Sequence, residues 1–123
     1  MVSFFSSTTK TINQILVPRK GILAADETPT TLGKRFLTVG IENTPENRRA
    51  YRTILFTTPN IENYISGVIL QDETIRQSTV GGRLFKDILL KKGIAVGIKV
   101  DQGLTPFNNS TVEKITQGLG DLP

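Results

Sequence analysis

Lys99 and Asp101 stand two residues apart at the end of the apolar run Ile94-Ala95-Val96-Gly97-Ile98, which reads as a buried strand, and charge there is hard to explain by stability. Alternate residues of a strand share a face, so Ala95, Gly97, Lys99 and Asp101 point one way and Val96, Ile98 and Val100 the other. The ammonium and the carboxylate therefore emerge together. Two further apolar runs end similarly: Gly21-Ile22-Leu23-Ala24-Ala25 runs into Asp26, and Tyr64-Ile65-Ser66-Gly67-Val68-Ile69-Leu70 runs into Gln71-Asp72-Glu73. A lysine among carboxylates near a low-dielectric interior can orient an anion or relay a proton, and the carboxylates can serve as acid or base. With no histidine and no cysteine in the chain, imidazole, thiol and disulfide chemistry are excluded. Lysine and carboxylates must carry any catalysis. The rival reading makes Lys99 with Asp101 or Asp26 a structural ion pair capping a sheet. Lys34-Arg35 and Arg48-Arg49 would by default line solvated helix faces. Gln71-Asp72-Glu73 would cap a helix, and no ligand spacing points to a metal.

The elements that must position these groups are legible from period and punctuation. Ile12, Ile15 and Leu16 before Pro18 predict an opening helix, followed by a strand over residues 21–26. Thr28-Pro29-Thr30-Thr31 is a loop that starts a short helix carrying Leu32, Phe36 and Leu37, with Lys34 and Arg35 in its first turns. Thr44-Pro45-Glu46 combines a hydroxyl N-cap, proline at the first helical position and an early acid, so a helix runs from there to about Thr57 with Tyr51, Ile54 and Leu55 buried. A second strand covers residues 64–70. Gly81-Gly82 turns into a helix with Leu84, Phe85, Ile88 and Leu89 on one side, closed by Lys91-Lys92 and Gly93, and the third strand follows at Ile94. The order predicts an α/β fold of repeated βα units, with a parallel sheet covered on both faces. Functional groups in such folds gather at the C-terminal ends of the strands, where Asp26, residues 71–73, Lys99 and Asp101 would converge. Residues 102–110 read as a loop and the rest as a polar stretch. Three strands without a fourth leave open edges, so residues 1–123 look like a single, incomplete domain.

Composition narrows the partners. The chain of 123 residues has 37% hydrophobic and 21% charged residues, ordinary for a soluble globular protein. No apolar run approaches the roughly 18 residues of a membrane span, and Met1-Val2-Ser3-Phe4-Phe5-Ser6-Ser7 is too short for a secretory signal, so a cytoplasmic protein is expected. The net charge of +4 is scattered in pairs, with two tyrosines and no tryptophan beside them, which fits a nucleic-acid stripe poorly. Phosphate groups on a small molecule fit better.

At these same residues the sequence resembles class I fructose-bisphosphate aldolase. The segments that carry the resemblance are Lys20-Gly21-Ile22-Leu23-Ala24-Ala25-Asp26-Glu27, Gly33-Lys34-Arg35-Phe36, Glu42-Asn43-Thr44, Glu46-Asn47-Arg48-Arg49-Ala50-Tyr51-Arg52, Tyr64 through Leu70, Glu73-Thr74, Gly97-Ile98-Lys99-Val100-Asp101 and Thr116-Gln117-Gly118-Leu119. In this order, from about residue 18 to 122, they are highly specific.

The resemblance implies a partial (β/α)₈ TIM barrel, about the first three βα units with an N-terminal helix. It implies part of a glycolytic lyase that cleaves fructose 1,6-bisphosphate to dihydroxyacetone phosphate and glyceraldehyde 3-phosphate through a lysine Schiff base, without cofactor or metal. The full-length form would be a homo-oligomer. Carried over by position, Asp26 assists proton transfer and Lys99 belongs to the same charged lattice, with Asp101 beside it. Arg35 contacts a substrate phosphate, with Lys34 next to it, and Arg48 matches a position sometimes assigned to substrate. The family commonly has Ser-Thr-Gly after its Asp-Glu pair, whereas this chain keeps hydroxyls there at Thr28 and Thr31. Gly118-Leu119-Gly120-Asp121-Leu122 looks like a local swap of the family's Leu-Asp-Gly-Leu. The Schiff-base lysine and the principal acid/base glutamates of the family match nothing here, so the chain alone is expected to be inactive. The alternatives are a truncated barrel acting as a binding or self-associating module, and a lyase for another phosphorylated ketose.

Overall fold

The structure is a computed structural model that describes residues 4–120, the first three of them by backbone alone. Met1, Val2 and Ser3 of the opening segment, and Asp121 and Leu122 of the closing motif, lie outside the described residues. Helix α1 (Phe4–Ile15) leads into strand β1 (Gly21–Ala25), helix α2 (Pro29–Leu37) and helix α3 (Pro45–Thr57). A 3-10 turn at Ile61–Asn63 precedes β2 (Ile65–Leu70), then come α4 (Asp72–Ile75), α5 (Phe85–Lys91) and β3 (Ala95–Ile98). The three strands form one parallel sheet in the order β1-β2-β3, with Ala25 opposite Leu70 and Leu70 opposite Ile98. Among the described residues no helix is long and apolar enough to cross a membrane.

The helix starts follow from their caps. Thr28 accepts from the Thr31 N–H at 3.2 Å and Thr44 from the Asn47 N–H at 3.1 Å, each with proline next in the chain. Because α2 begins at Pro29, Lys34 and Arg35 fall in its last turn rather than its first, where cations suit the helix dipole. The α3 stripe differs more. Ile54 is 70% exposed, and the inward positions are Arg48, Arg52 and Phe56, spaced at i, i+4, i+8. Two arginines occupy core-facing sites because carboxylates meet them there.

The sheet is fully covered on one face and only partly on the other. Leu23, Ala25, Val68, Leu70 and Val96 share the face that packs with Phe56, Phe85, Ile88 and Leu89, and the Phe56 and Phe85 rings meet edge to face at 5.3 Å. The other face carries Ile22, Ala24, Gly67, Ile69, Ala95 and Gly97, and α1 crosses only its N-terminal end, leaving an apolar cleft of about 280 Å³. Among the described residues the expected second layer of helices is thus reduced to α1, although the strands are as apolar as a doubly covered sheet would need. Ser66 ties α1 to β2 by donating to the Ile15 carbonyl at 2.6 Å.

Two more expectations change. Strand β3 ends at Ile98, not Asp101, and it is exposed from Gly97 onward because it forms the sheet edge. The Lys99 N–H adds one last bond to the Leu70 carbonyl at 2.8 Å. The segment read as loop folds into an exposed antiparallel hairpin, β4 (Leu104–Pro106) with β5 (Lys114–Thr116). Asn108 and Asn109 in its turn take left-handed φ of 46° and 61°, which asparagine tolerates better than most residues.

Candidate functional site

The register aligns the strand ends. Ala25, Leu70 and Ile98 form the last paired row, so Asp26, Gln71 and Lys99 are the first residues beyond it on three adjacent strands. Beside them opens a cleft of about 260 Å³ lined by Thr28, Gln71, Asp72, Lys99, Val100, Asp101 and Gln102. The Lys99 ammonium donates to Asp101 Oδ1, and Asp101 Oδ2 accepts from the Gly103 N–H at 3.2 Å. Lys99 holds the Asp101 carboxyl below the usual carboxylate range. The expected emergence of this pair on one side is observed, although both residues lie past the strand. The Asp26 side chain is half-buried and has no hydrogen-bond or ion-pair partner among the described residues. It is the one carboxylate at the described strand ends without such a partner, and it is not among the residues that line the cleft.

The other polar groups at the strand ends are engaged. Gln71 caps α4 by accepting the Glu73 N–H at 2.6 Å, as expected of that cluster, and Asp72 pairs with Arg76 at 2.7 Å on the surface. Thr28 and Thr31 share a contact of 3.1 Å between their hydroxyls at the α2 cap, so only Thr28 borders the cleft. Lys34 is exposed and makes no ion pair among the described residues.

The arginines do not form solvated faces throughout. Arg48 is 8% exposed and forks onto Glu73, Nε to Oε1 at 2.8 Å and Nη2 to Oε2 at 2.6 Å, while its Nη1 reaches Asn43 Oδ1 at 2.7 Å. A helix face becomes solvated only where nothing is packed on it, and here the α4 carboxylate is. Arg52, one turn on and 1% exposed, donates from Nη1 to Glu27 Oε2 at 2.7 Å and from Nη2 to the Glu27 carbonyl at 3.2 Å. Its guanidinium lies over the Tyr51 ring at 5.4 Å. The outer oxygen of Glu27 takes the exposed Arg35. Burial pushes the Glu27 carboxyl up, but its own backbone N–H, Arg52 and Arg35 outweigh that and hold it below the usual range.

Glu27 and Arg52 were not singled out from the sequence. The signal was present: Arg52 sits one helical turn from Arg48, which puts both on one face. A helix with a second arginine at i+4 in place of an apolar residue calls for two inward carboxylates. Glu27 and Glu73, each just past a strand, supply them.

The family model for Fructose-bisphosphate aldolase class-I matches residues 7–123. A fructose-bisphosphate aldolase of Encephalitozoon cuniculi is 54% identical over 112 residues, 91% of this chain and 32% of that protein. One from Drosophila melanogaster is 54% identical over 110 residues, 89% of this chain and 30% of that one, and a chloroplastic aldolase of Pisum sativum is 48% identical over 120 residues, 98% and 34%. Among solved structures, fructose-bisphosphate aldolase from Plasmodium falciparum in complex with TRAP and a small molecule inhibitor superposes with a TM-score of 0.88 at 42% identity, covering 93% of this chain and 33% of that one. The chain spans about a third of the length of the curated relatives it matches.

Proposed function

The chain belongs to the class I fructose-bisphosphate aldolase family, and on that premise we propose that it forms part of an enzyme cleaving fructose 1,6-bisphosphate through a lysine Schiff base. In this reading its three strands are βα units of a (β/α)₈ barrel, the uncovered sheet face lines the barrel interior, and the products are dihydroxyacetone phosphate and glyceraldehyde 3-phosphate. A homo-oligomer rests on the resemblance, a single incomplete domain on the open strand edges together with the resemblance, and a cytoplasmic location on the sequence reading.

Asp26 and Lys99 act in the chemistry. Asp26 takes or returns a proton beside the reacting carbon, because its carboxylate is the unpaired one at the strand ends. Lys99, steered by Asp101, directs its remaining ammonium N–H donors toward an oxyanion or phosphate of the substrate. Arg35 contacts a phosphate through directional charge-assisted bonds, with Lys34 adding charge and the Thr28 and Thr31 hydroxyls shaping the loop. Arg48 serves the substrate indirectly, since Glu73 and Asn43 take its donors. The Schiff-base lysine and the acid/base glutamates come from elsewhere in the enzyme.

The observation that carries the reading is the row of Asp26, Gln71 and Lys99 at three adjacent strand ends beside a polar cleft. The test replaces the matching third of the Drosophila aldolase with this chain and follows cleavage of fructose 1,6-bisphosphate. Asp26→Asn and Lys99→Met are each expected to lower kcat by about a hundredfold or more. Unchanged kcat in Asp26→Asn would remove its catalytic role. The chain by itself, given the substrate and borohydride, is expected to trap no covalent adduct, and an adduct on one of its own lysines would overturn the division of roles.

A further inference from the structure

Glu27 is one carboxylate between two guanidiniums of opposite surroundings. Arg52 is buried, doubly bonded to Glu27 and placed over the Tyr51 ring, so its guanidinium is held there. Arg35 touches the other oxygen from the end of α2 and its side chain is 58% exposed. The three groups sum to one net positive charge. Because Arg52 already meets the charge of Glu27, the surplus resides on the exposed partner. A guanidinium paired one to one with a carboxylate would present a neutral dipole to an incoming phosphate. Here it presents a cation, held in place but not neutralised.

We propose that Arg52 is a positioning residue: by taking up the charge of Glu27 it leaves Arg35 a directed, uncompensated cation for a substrate phosphate. This rests on the phosphate role given to Arg35 above. The role of Arg52 is electrostatic, so charge at position 52 matters more than fork geometry. It is also conditional on Glu27. Without that carboxylate, a cation at position 52 has nothing to shield.

The test uses the Drosophila chimera with three variants, each checked for folding by its unfolding midpoint. Arg52→Met is expected to raise KM for fructose 1,6-bisphosphate about tenfold with kcat nearly unchanged, since Glu27 then neutralises Arg35. Arg52→Lys, which keeps the charge but loses the fork, is expected to stay within about threefold of the parent KM. Arg52→Met/Glu27→Gln removes both partners of the buried pair and is expected to recover most of the lost affinity. A purely structural Arg52 predicts instead that the lysine variant fails like the methionine one and that kcat falls with folding. Either result overturns the proposal, as does a double variant no better than Arg52→Met. A separate readout keeps the two readings distinguishable. Hydrogen exchange at the Arg35 guanidinium, followed by NMR in the 123-residue chain, is expected to slow in Arg52→Met and not in Arg52→Lys. If Arg35→Met leaves KM unchanged, the phosphate role of Arg35 fails, whereas unaltered exchange in Arg52→Met defeats the shielding by Arg52 itself.

Discussion

Arg48 and Glu73 show at the scale of residues how much a buried charge depends on its partner. The fork places a guanidinium that is 8% exposed against a carboxylate, and Asn43 takes the remaining edge. Removing one side leaves the other buried and uncompensated, so Glu73→Gln is expected to cost about 3 kcal/mol in urea unfolding at pH 7. The pair also sets an acid limit. Hydrogen bonds from Arg48 hold the Glu73 carboxyl below the usual range, and Glu27 is lowered by Arg52 and Arg35 against its own burial. A depressed carboxylate contributes stability that is fully present above the unfolded value, about 4.3, and is lost as pH falls through the folded one. The parent chain should therefore lose stability progressively below about pH 5, and Glu73→Gln should lose it with a shallower slope. Equal slopes in urea titrations from pH 7 to pH 3 would show that Glu73 is not the group responsible.

Among the elements, those with local punctuation were readable and those defined by a distant partner were not. Thr44-Pro45-Glu46 specified the start of α3 because cap, φ and dipole act within one turn; Thr44→Ala is expected to lower stability by about 1 kcal/mol. The inner face of the same helix is not legible from hydrophobicity, which points to Ile54, because burial there is decided by Glu27 and Glu73, 25 residues from Arg52 and Arg48 respectively. The strands were found because their apolar runs are continuous, but which face stays open depends on what packs there and no strand residue encodes it. At the site, the alternation that put Lys99 and Asp101 together was legible, and the pairing of Glu27 with two arginines was not. The hairpin escaped notice because its strands are short and exposed, and its registry rests on the left-handed Asn108 and Asn109. Its docking depends on Gly118. At φ of 84° a Cβ there would lie 2.8 Å from both the Gln102 nitrogen and the Val100 oxygen. Gly118→Ala is expected to cost about 1–3 kcal/mol and to speed amide exchange at Gln102 and Gln117, which bond to Gln117 and Gly103 carbonyls.

Over the whole molecule, apolar surface is distributed as in a layer awaiting another. Ile22, Ile98, Leu104, Phe107 and Ile115 are all at least 41% exposed, and β1 and β3 both present unpaired edges within the described sheet. The isolated chain is expected to associate as concentration rises, and Ile98→Lys on the β3 edge to reduce that association. Sedimentation velocity checks both, and a monodisperse monomer across the accessible range would count against self-association. What ties the ends of β1 and β2 to one helix while so much surface is open is α3. Four residues along a helix advance about 6 Å, close to the 4.8 Å or so that separates neighbouring strands. Arg48 and Arg52 therefore work as a two-pronged gauge, one prong on Glu27, the second residue past β1, and the other on Glu73 in the segment after β2. Inserting or deleting a single residue between them would rotate one prong by about 100° and disengage it. The stretch between residues 48 and 52 should thus be the part of the helical layer least tolerant of a change in length.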